Sequence, residues 1–311
     1  MKKINCMLIG LGNIGINYDI SNPNIQTHAK ALVNHKGFNL LCGIDNSYLA
    51  RQKFKKKYEI LAYSSICQVP FKKIDLVTIA TPTNTHYKIV KKVKLRYPKA
   101  FILLEKPISY NIKEAKKILK ACSRNKLIIN YHRLYQPSSF LIKKIIEKYK
   151  KKFNLPIKVK VIYTKNIIHN CSHFFNLLKF WLGDILDSKI LKIKKISEDY
   201  RGDLLVNYKK AQVQYFSNNN LFHSQVEIKF KDKIIKYKKD GEKILLYKII
   251  KNKTFLSKNI KNDMKFSQLN VYKEIYKYIC GKKIYNICSG ANAFGTLEDI
   301  FHILTRKSYK N

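Results

Sequence analysis

Three groups of residues in this chain have types and spacings that could do chemistry. The first is Gly10-Leu11-Gly12-Asn13-Ile14-Gly15, directly after an apolar run at 4–9. In such a turn the first glycine permits a tight reversal and the second lets backbone approach a pyrophosphate. The third lets a helix pack closely on the strand, with the amides of Asn13 and Ile14 at the helix start turned to the phosphates. Asp45 ends the next strand-like run, where a carboxylate can accept from both hydroxyls of a ribose and would repel a 2′-phosphate. No arginine directly follows it, which favours NAD over NADP. The second group is Leu104-Glu105-Lys106-Pro107, which sets an ammonium where a strand ends. There it can hydrogen-bond a hydroxyl and steady a developing alkoxide. The third runs from Ile168 to Asn176 and holds His169, Cys171 and His173. An imidazole titrates near neutrality and suits a general base. His-x-Cys-x-His has neither a recognised zinc spacing nor a remote second pair, so no metal is expected.

The elements that must position these groups fall into two grammars. Apolar runs at 4–9, 38–44, 76–80, 101–104 and 127–129 alternate with helix-like stretches at 28–34, 49–58, 85–96 and 112–123. Runs apolar on every residue belong to strands covered on both faces, and strand–helix alternation implies a parallel, doubly wound sheet. Asn111, with Glu114 three residues on, reads as a capping box. The spacing from Gly15 to Asp45 exceeds the usual ~20 residues; the excess is a polar insert at 17–26 containing Pro23, expected to be a loop near the cofactor or substrate.

After Arg133 the pattern changes. A basic helix is expected at 138–150, a strand at 157–163 and an apolar helix at 172–182, with Phe174, Phe175, Phe180 and Trp181 on its buried face. Strands follow near 189–196, 204–208, 212–216 and 225–230. Asp240-Gly241 between 234–237 and 244–247 signals a hairpin, and helices at 269–279 and 291–304 close the chain. The expected architecture is therefore an α/β Rossmann domain over 1–132. An α+β domain with a largely antiparallel open sheet follows over 133–311, whose final helices could pack back on the first domain.

The formal charge of +42 invites a nucleic-acid or membrane reading. Yet of 62 basic residues only six are arginine and 56 are lysine, spread along the whole chain with abundant Ile, Asn and Tyr. That is the signature of codon bias rather than of phosphate reading, which leans on arginine's fork. No apolar run approaches the roughly 18–20 residues of a bilayer span. The seven cysteines are scattered without a C-x-x-C pair, as in a reduced, cytoplasmic protein. Neither nucleic acid nor membrane insertion is expected.

The glycine turn, Ala80-Thr81-Pro82-Thr83-Asn84-Thr85-His86, Glu105-Lys106-Pro107 and Ser289-Gly290-Ala291-Asn292-Ala293 occur in order and at element ends. Together they resemble the Gfo/Idh/MocA family of oxidoreductases. The resemblance implies NAD held by Gly10, Gly12, Asn13, Ile14, Gly15, Asp45, Thr81, Pro82, Thr83, His86 and Glu105. It implies Lys106 as the catalytic lysine and His173 as the catalytic base. Arg133, Lys165, His169, Asn170 and Asn176, with Lys106, would hold a sugar, polyol or nucleotide-linked sugar, and two copies would associate through the C-terminal sheet. Many members carry Asp four residues before the histidine and three after it, where this chain has His169 and Asn176. The departure keeps a second reading open, an NAD-binding regulator or scaffold without turnover.

Overall fold

The computed structural model describes residues 2–122, 126–284 and 286–305. Strands β1 (Ile4–Ile9), β2 (Phe38–Ile44), β3 (Ala62–Tyr63), β4 (Leu76–Ile79), β5 (Phe101–Leu104) and β6 (Leu127–Ile129) form one sheet, in the order β3-β2-β1-β4-β5-β6. Every pair in it is parallel. All of β4 and β6 is buried, as strands covered on both faces must be. Helices α1 (His28–Asn34), α2 (Tyr48–Tyr58), α3 (His86–Arg96) and α4 (Ile112–Ala121) connect the strands. In a parallel sheet, the loops leaving the strands gather at one edge, so Gly10, Asp45, Ala80, Glu105 and Asn130 all lie where strands end.

The chain divides into two units that interleave in sequence. The first runs to Tyr135 and also takes in Lys265–Phe294; the second holds Gln136–Met264 and the residues from Gly295. The division thus falls three residues after the expected boundary, and α7 (Ser267–Ile279) belongs to the first unit. The reason is packing: Tyr272 of α7 is fully buried and hydrogen-bonds Thr78 of β4. The segment before α8 (Gly290–Thr305) also runs along β6, with Ile128 bridged to Ser289. Gly290 packs closely there: a Cβ would lie 2.7 Å from Leu127 Cδ2, so that side chain would have to shift.

The second unit holds α5 (Pro137–Phe153), α6 (Ser172–Leu182) and an eight-stranded sheet. Its strands are β7 (Ile157–Tyr163), β8 (Ile185–Ile196), β9 (Asp199–Tyr208), β10 (Ala211–Ser217), β11 (Gln225–Lys229), β12 (Lys233–Lys238), β13 (Lys243–Ile250) and β14 (Lys253–Ile260). The order is β14-β13-β12-β11-β7-β10-β9-β8, antiparallel except where β7 meets β10. Buried and exposed residues alternate along β7, the pattern of a sheet with one face packed. α6 covers that face: Phe175 stacks on Tyr215 of β10 with centroids 4.4 Å apart, and Trp181 donates to Ser139 O of α5.

Several local expectations change. β3 and β14 are additions; β14 is exposed on seven of eight residues, so it lacks the apolar face by which a sequence announces a strand. Phe180 is only half-buried, its ring edge-on to Phe140 and under the Lys143 ammonium. Asn111 does cap α4, accepting from Lys113 N and Glu114 N, but Glu114 turns to Ser109 Oγ instead of closing a capping box. Ser123, the expected end of that helix, lies outside the described residues. Asp240 and Gly241 do turn the β12–β13 hairpin, both at positive φ. Among the described residues no helix is long and apolar enough to cross a membrane.

Candidate functional site

The glycine turn and the second strand's end form a cleft of about 540 Å³ in the first unit. Gly10 sits at φ +96°, and a Cβ there would lie 2.5 Å from Ala80 O; at Gly15 it would lie 2.2 Å from Gly10 O. Both positions need glycine because backbone meets backbone. At Gly12 nothing lies within 4 Å of an added Cβ, so this glycine opens directly onto the cleft. Asn13–Asn17 then make a single π turn rather than a long helix. The insert at 17–26 separates that turn from α1 and is tied down by the fully buried Asp19. Its carboxylate accepts from Gln26 N, Thr27 N and Thr27 Oγ1 at 2.6–2.8 Å. The insert is thus a latched loop that splits the first helix.

Asp45 lies at the cleft with both carboxylate oxygens oriented by main chain, Oδ2 accepting from Leu11 N at 2.8 Å and Oδ1 from Ser47 N at 2.9 Å. A carboxylate oxygen offers two lone pairs, so each can still accept a ribose hydroxyl. Arg51, which sequence reasoning passed over, folds back from α2 to donate to Asp45 O and Asn46 O. No arginine follows Asp45 directly in sequence, but one stands one helical turn into α2. Thr81, Pro82 and Thr85 continue the lining, with Lys88 and Lys92 beside them, while Thr83 begins the short turn between. The lining therefore offers an open glycine, an ordered carboxylate and two cations, a set that fits a dinucleotide.

His86 stands apart from the cleft lining. It is fully buried, with Nδ1 3.1 Å from Ile108 O and Nε2 3.1 Å from Thr81 O. Burial holds its pKa below the ordinary value, against the pull of those carbonyls. It braces the loop after β4 against the loop after β5.

Lys106 is half-buried at the end of β5, followed by the cis peptide to Pro107. Beside it Glu105 Oε1 accepts from His28 Nε2 at 2.9 Å and Asn130 Nδ2 at 2.5 Å. His28 Nδ1 meets Tyr272 OH at 3.0 Å, and that hydroxyl meets Thr78 Oγ1 at 2.9 Å. Burial alone would raise the Glu105 carboxyl; the His28 hydrogen bond and charge outweigh it, with help from Asn130 and Lys106, and bring it down to about 2. His132, also missed in the sequence, sits just past β6 and accepts from Arg133 Nη1 at 3.1 Å. Burial, then the charges of Arg133 and Lys106, drive its pKa to about 3, so it is a neutral ring. The only sequence signal for His132 was adjacency to Arg133.

In the second unit His173 is buried in the first turn of α6. Asp199 holds the preceding π turn (Ile167–Cys171): its Oδ1 accepts from Ile168 N at 2.8 Å and Oδ2 from His169 N at 2.9 Å. His169 itself is exposed, and Lys165 is exposed at φ +62°. Asn170 is bound locally to Thr164 O and Oγ1, and Asn176 donates to Thr296 Oγ1 of α8 at 3.1 Å. The amide nitrogens of these two asparagines are thus bonded within the second unit, around the turn and helix that carry His173.

Residues 4–132 match the model of an oxidoreductase family with an NAD-binding Rossmann fold, GFO_IDH_MocA. This segment belongs to the Gfo/Idh/MocA family. No curated protein matches the chain in sequence. Solved structures share the two-unit fold across nearly the whole chain. An oxidoreductase from Agrobacterium radiobacter in complex with NAD+, L-tartaric acid and magnesium is 14% identical, with a TM-score of 0.72 over 97% of this chain and 96% of that one. The WlbA dehydrogenase from Bordetella pertussis, in complex with NADH and UDP-GlcNAcA, is 16% identical, with a TM-score of 0.73 over 97% and 95%. An NAD binding oxidoreductase from Klebsiella pneumoniae is 14% identical, with a TM-score of 0.73 over 98% of each chain. The glycine cleft lies within the matched segment.

Proposed function

We propose that the protein is an NAD-dependent dehydrogenase of a secondary alcohol on a sugar, polyol or nucleotide-linked sugar, in the cytoplasm. The observation that carries the reading is the shared edge of the parallel sheet. The glycine turn, Asp45, Thr81 and Lys106 all follow the ends of its strands. Bound NAD supplies the hydride acceptor. Asp45 takes the ribose hydroxyls, and Gly12 admits the phosphates to the backbone. Lys106 donates to the substrate oxygen and stabilises charge on it as the proton leaves. His173 removes that proton, and Arg133 and the exposed His169 and Lys165 contribute to holding polar groups of the substrate. Leu186, Leu191, Phe255 and Leu256 are large apolar side chains exposed on the outer strands of the eight-stranded sheet, which suits association with a second copy.

The test is incubation with NAD and panels of free and nucleotide-linked sugars, following the near-ultraviolet absorbance of reduced cofactor. Lys106→Ala and His173→Ala should each lower turnover by about 10²–10⁴-fold while leaving NADH affinity within a few-fold. Wild-type turnover by Lys106→Ala would defeat the mechanism. One observation favours the regulator reading: Asn176 and Asn170, where substrate ligands were expected, are hydrogen-bonded to the protein itself. NAD binding without turnover on any panel would select it.

A further inference from the structure

A second cleft, of about 440 Å³, opens where strands of the parallel sheet begin, at the edge opposite the glycine turn and wholly within the first unit. Ile4 opens β1, Ile74 and Asp75 lead into β4, and Ala100 and Phe101 bring the chain into β5. The floor is apolar: Ile4, Ile74, Tyr97 and Ala100 are buried there, with Phe101 half-buried beside them. The rim is cationic, with Lys2, Lys72, Lys73, Arg96 and Lys99 set against one acid, Asp75. Lysine is abundant along the whole chain, but five basic residues among thirteen is about twice the share of 62 in 311, so the rim is richer in cations than composition supplies. Helix dipoles do not account for it either, because Lys2, Lys72 and Lys73 stand at no helix end.

The walls of this cleft are held by side chains. Lys94 Nζ donates to Pro98 O at 2.6 Å and Ala100 O at 3.2 Å, and Lys126 Nζ donates to Lys99 O at 2.7 Å, which fixes the loop from α3 into β5. Tyr97 OH donates to Phe71 O at 2.9 Å and Arg96 Nη2 to Val69 O at 2.5 Å, which ties the loop before β4 to the end of α3. Arg96 Nε also donates to Tyr97 OH at 3.1 Å, so the guanidinium is pinned, and among the described residues nothing engages its Nη1. Asp75 Oδ2 accepts from Asn5 N at 3.0 Å. Like charges gathered on one rim repel, and an anion between them removes that cost. We infer that this cleft binds an organic phosphate, with its phosphate oxygens on the lysines and Arg96 Nη1 and its apolar or ring-shaped body over Ile4, Ile74 and Phe101. A phosphate monoester carries about two charges and three acceptor oxygens, which suits several cations on one rim better than a single carboxylate does. A cleft of this volume holds a ligand of mononucleotide size. The site is separate from the glycine cleft and independent of the dehydrogenase reading.

ADP serves as the probe, on the whole protein. Trace acetylation, quantified peptide by peptide by mass spectrometry, reports where it binds. ADP should slow the labelling of Lys72, Lys73 and Lys99 and leave the exposed Lys258 unchanged. Adenosine, with no phosphate, should protect none of them. Inorganic pyrophosphate, with nothing for the apolar floor, should need about tenfold higher concentration for half protection. In the Lys72→Glu, Lys73→Glu double variant, half protection of Lys99 should likewise require about tenfold more ADP; both positions are exposed, so the fold should survive the change. An unchanged requirement in that variant overturns the inference. So does absence of protection at the three lysines, including the case where ADP shields only Lys88 and Lys92 of the glycine cleft. Even slowing at every exposed lysine, or protection by adenosine or pyrophosphate equal to that by ADP, also overturns it. Protection at Lys72, Lys73 and Lys99 in a protein that oxidises no alcohol leaves the inference standing and counts only against the dehydrogenase reading.

Discussion

The two units hold their proposed catalytic side chains in different ways. In the first, Lys106 and its neighbours sit at the end of a parallel sheet whose strands are buried on both faces, and polar groups from five segments close in behind them. In the second, His173 stands on an apolar helix over an antiparallel sheet, and the turn leading to it is pinned by Asp199, some 30 residues further along the chain. The first arrangement is written in short motifs, because each strand end delivers its loop to the same edge. The second depends on long-range contacts, Asp199 under the turn and Asn176 on Thr296. A site at a parallel edge is therefore locally legible, whereas one on a helix start is set by partners remote in the chain.

The comparison can be broken first at the glycines. Gly15→Ala should cost about 4 kcal/mol and lower the melting temperature by about 10 °C, because its Cβ would meet Gly10 O at 2.2 Å. Gly12→Ala should leave the melt within about 1–2 °C and weaken NADH binding instead, by about tenfold. Equal losses of thermal stability in the two variants would refute the assigned roles. Acid separates the units next. The folded pKa of His132, about 3, lies below its ordinary 6.5, so the unfolded chain takes up this proton first as pH falls. Stability should decline from pH 6.5 downward, by about 3 kcal/mol at pH 4, and level off near 3. Glu105, at about 2, adds a further loss below pH 4.5. Urea melts at pH 7 and 4 should show this slope in the wild type and a shallower one in His132→Asn. Smallest is Asp199→Asn, which removes a charged acceptor from Ile168 N and His169 N. We expect about 2 kcal/mol of destabilisation and roughly tenfold lower turnover with NADH affinity unchanged, read by calorimetry and single-turnover kinetics. A larger effect on NADH binding than on turnover would place Asp199 outside the role given to it.

Much of the first unit was legible because its constraints are local. A glycine that must meet backbone at 2.2–2.5 Å can be nothing else, and a strand covered on both faces must be apolar throughout, so Gly10, Gly15 and the runs at 4–9 and 101–104 announce themselves. β14 was illegible because an exposed edge strand has no apolar face to display. The insert at 17–26 was visible as an excess of polar residues, yet its latch was not, since nothing in Asp19 alone says that it will be buried against Thr27.

The sequence by itself determined the glycine turn, the carboxylate at the second strand's end, the lysine at a strand's end and the histidine opening an apolar helix. Only the tertiary structure decided what supports them: His28 and Asn130 on Glu105, Arg51 folded back over Asp45 and Asn46, Arg133 on His132, and Asp199 under the turn before His173. Backbone constraints act between neighbours in the chain and leave a mark at one position. Charge and hydrogen-bond partners act through space, and burial joins residues whose separation in sequence carries no sign of it.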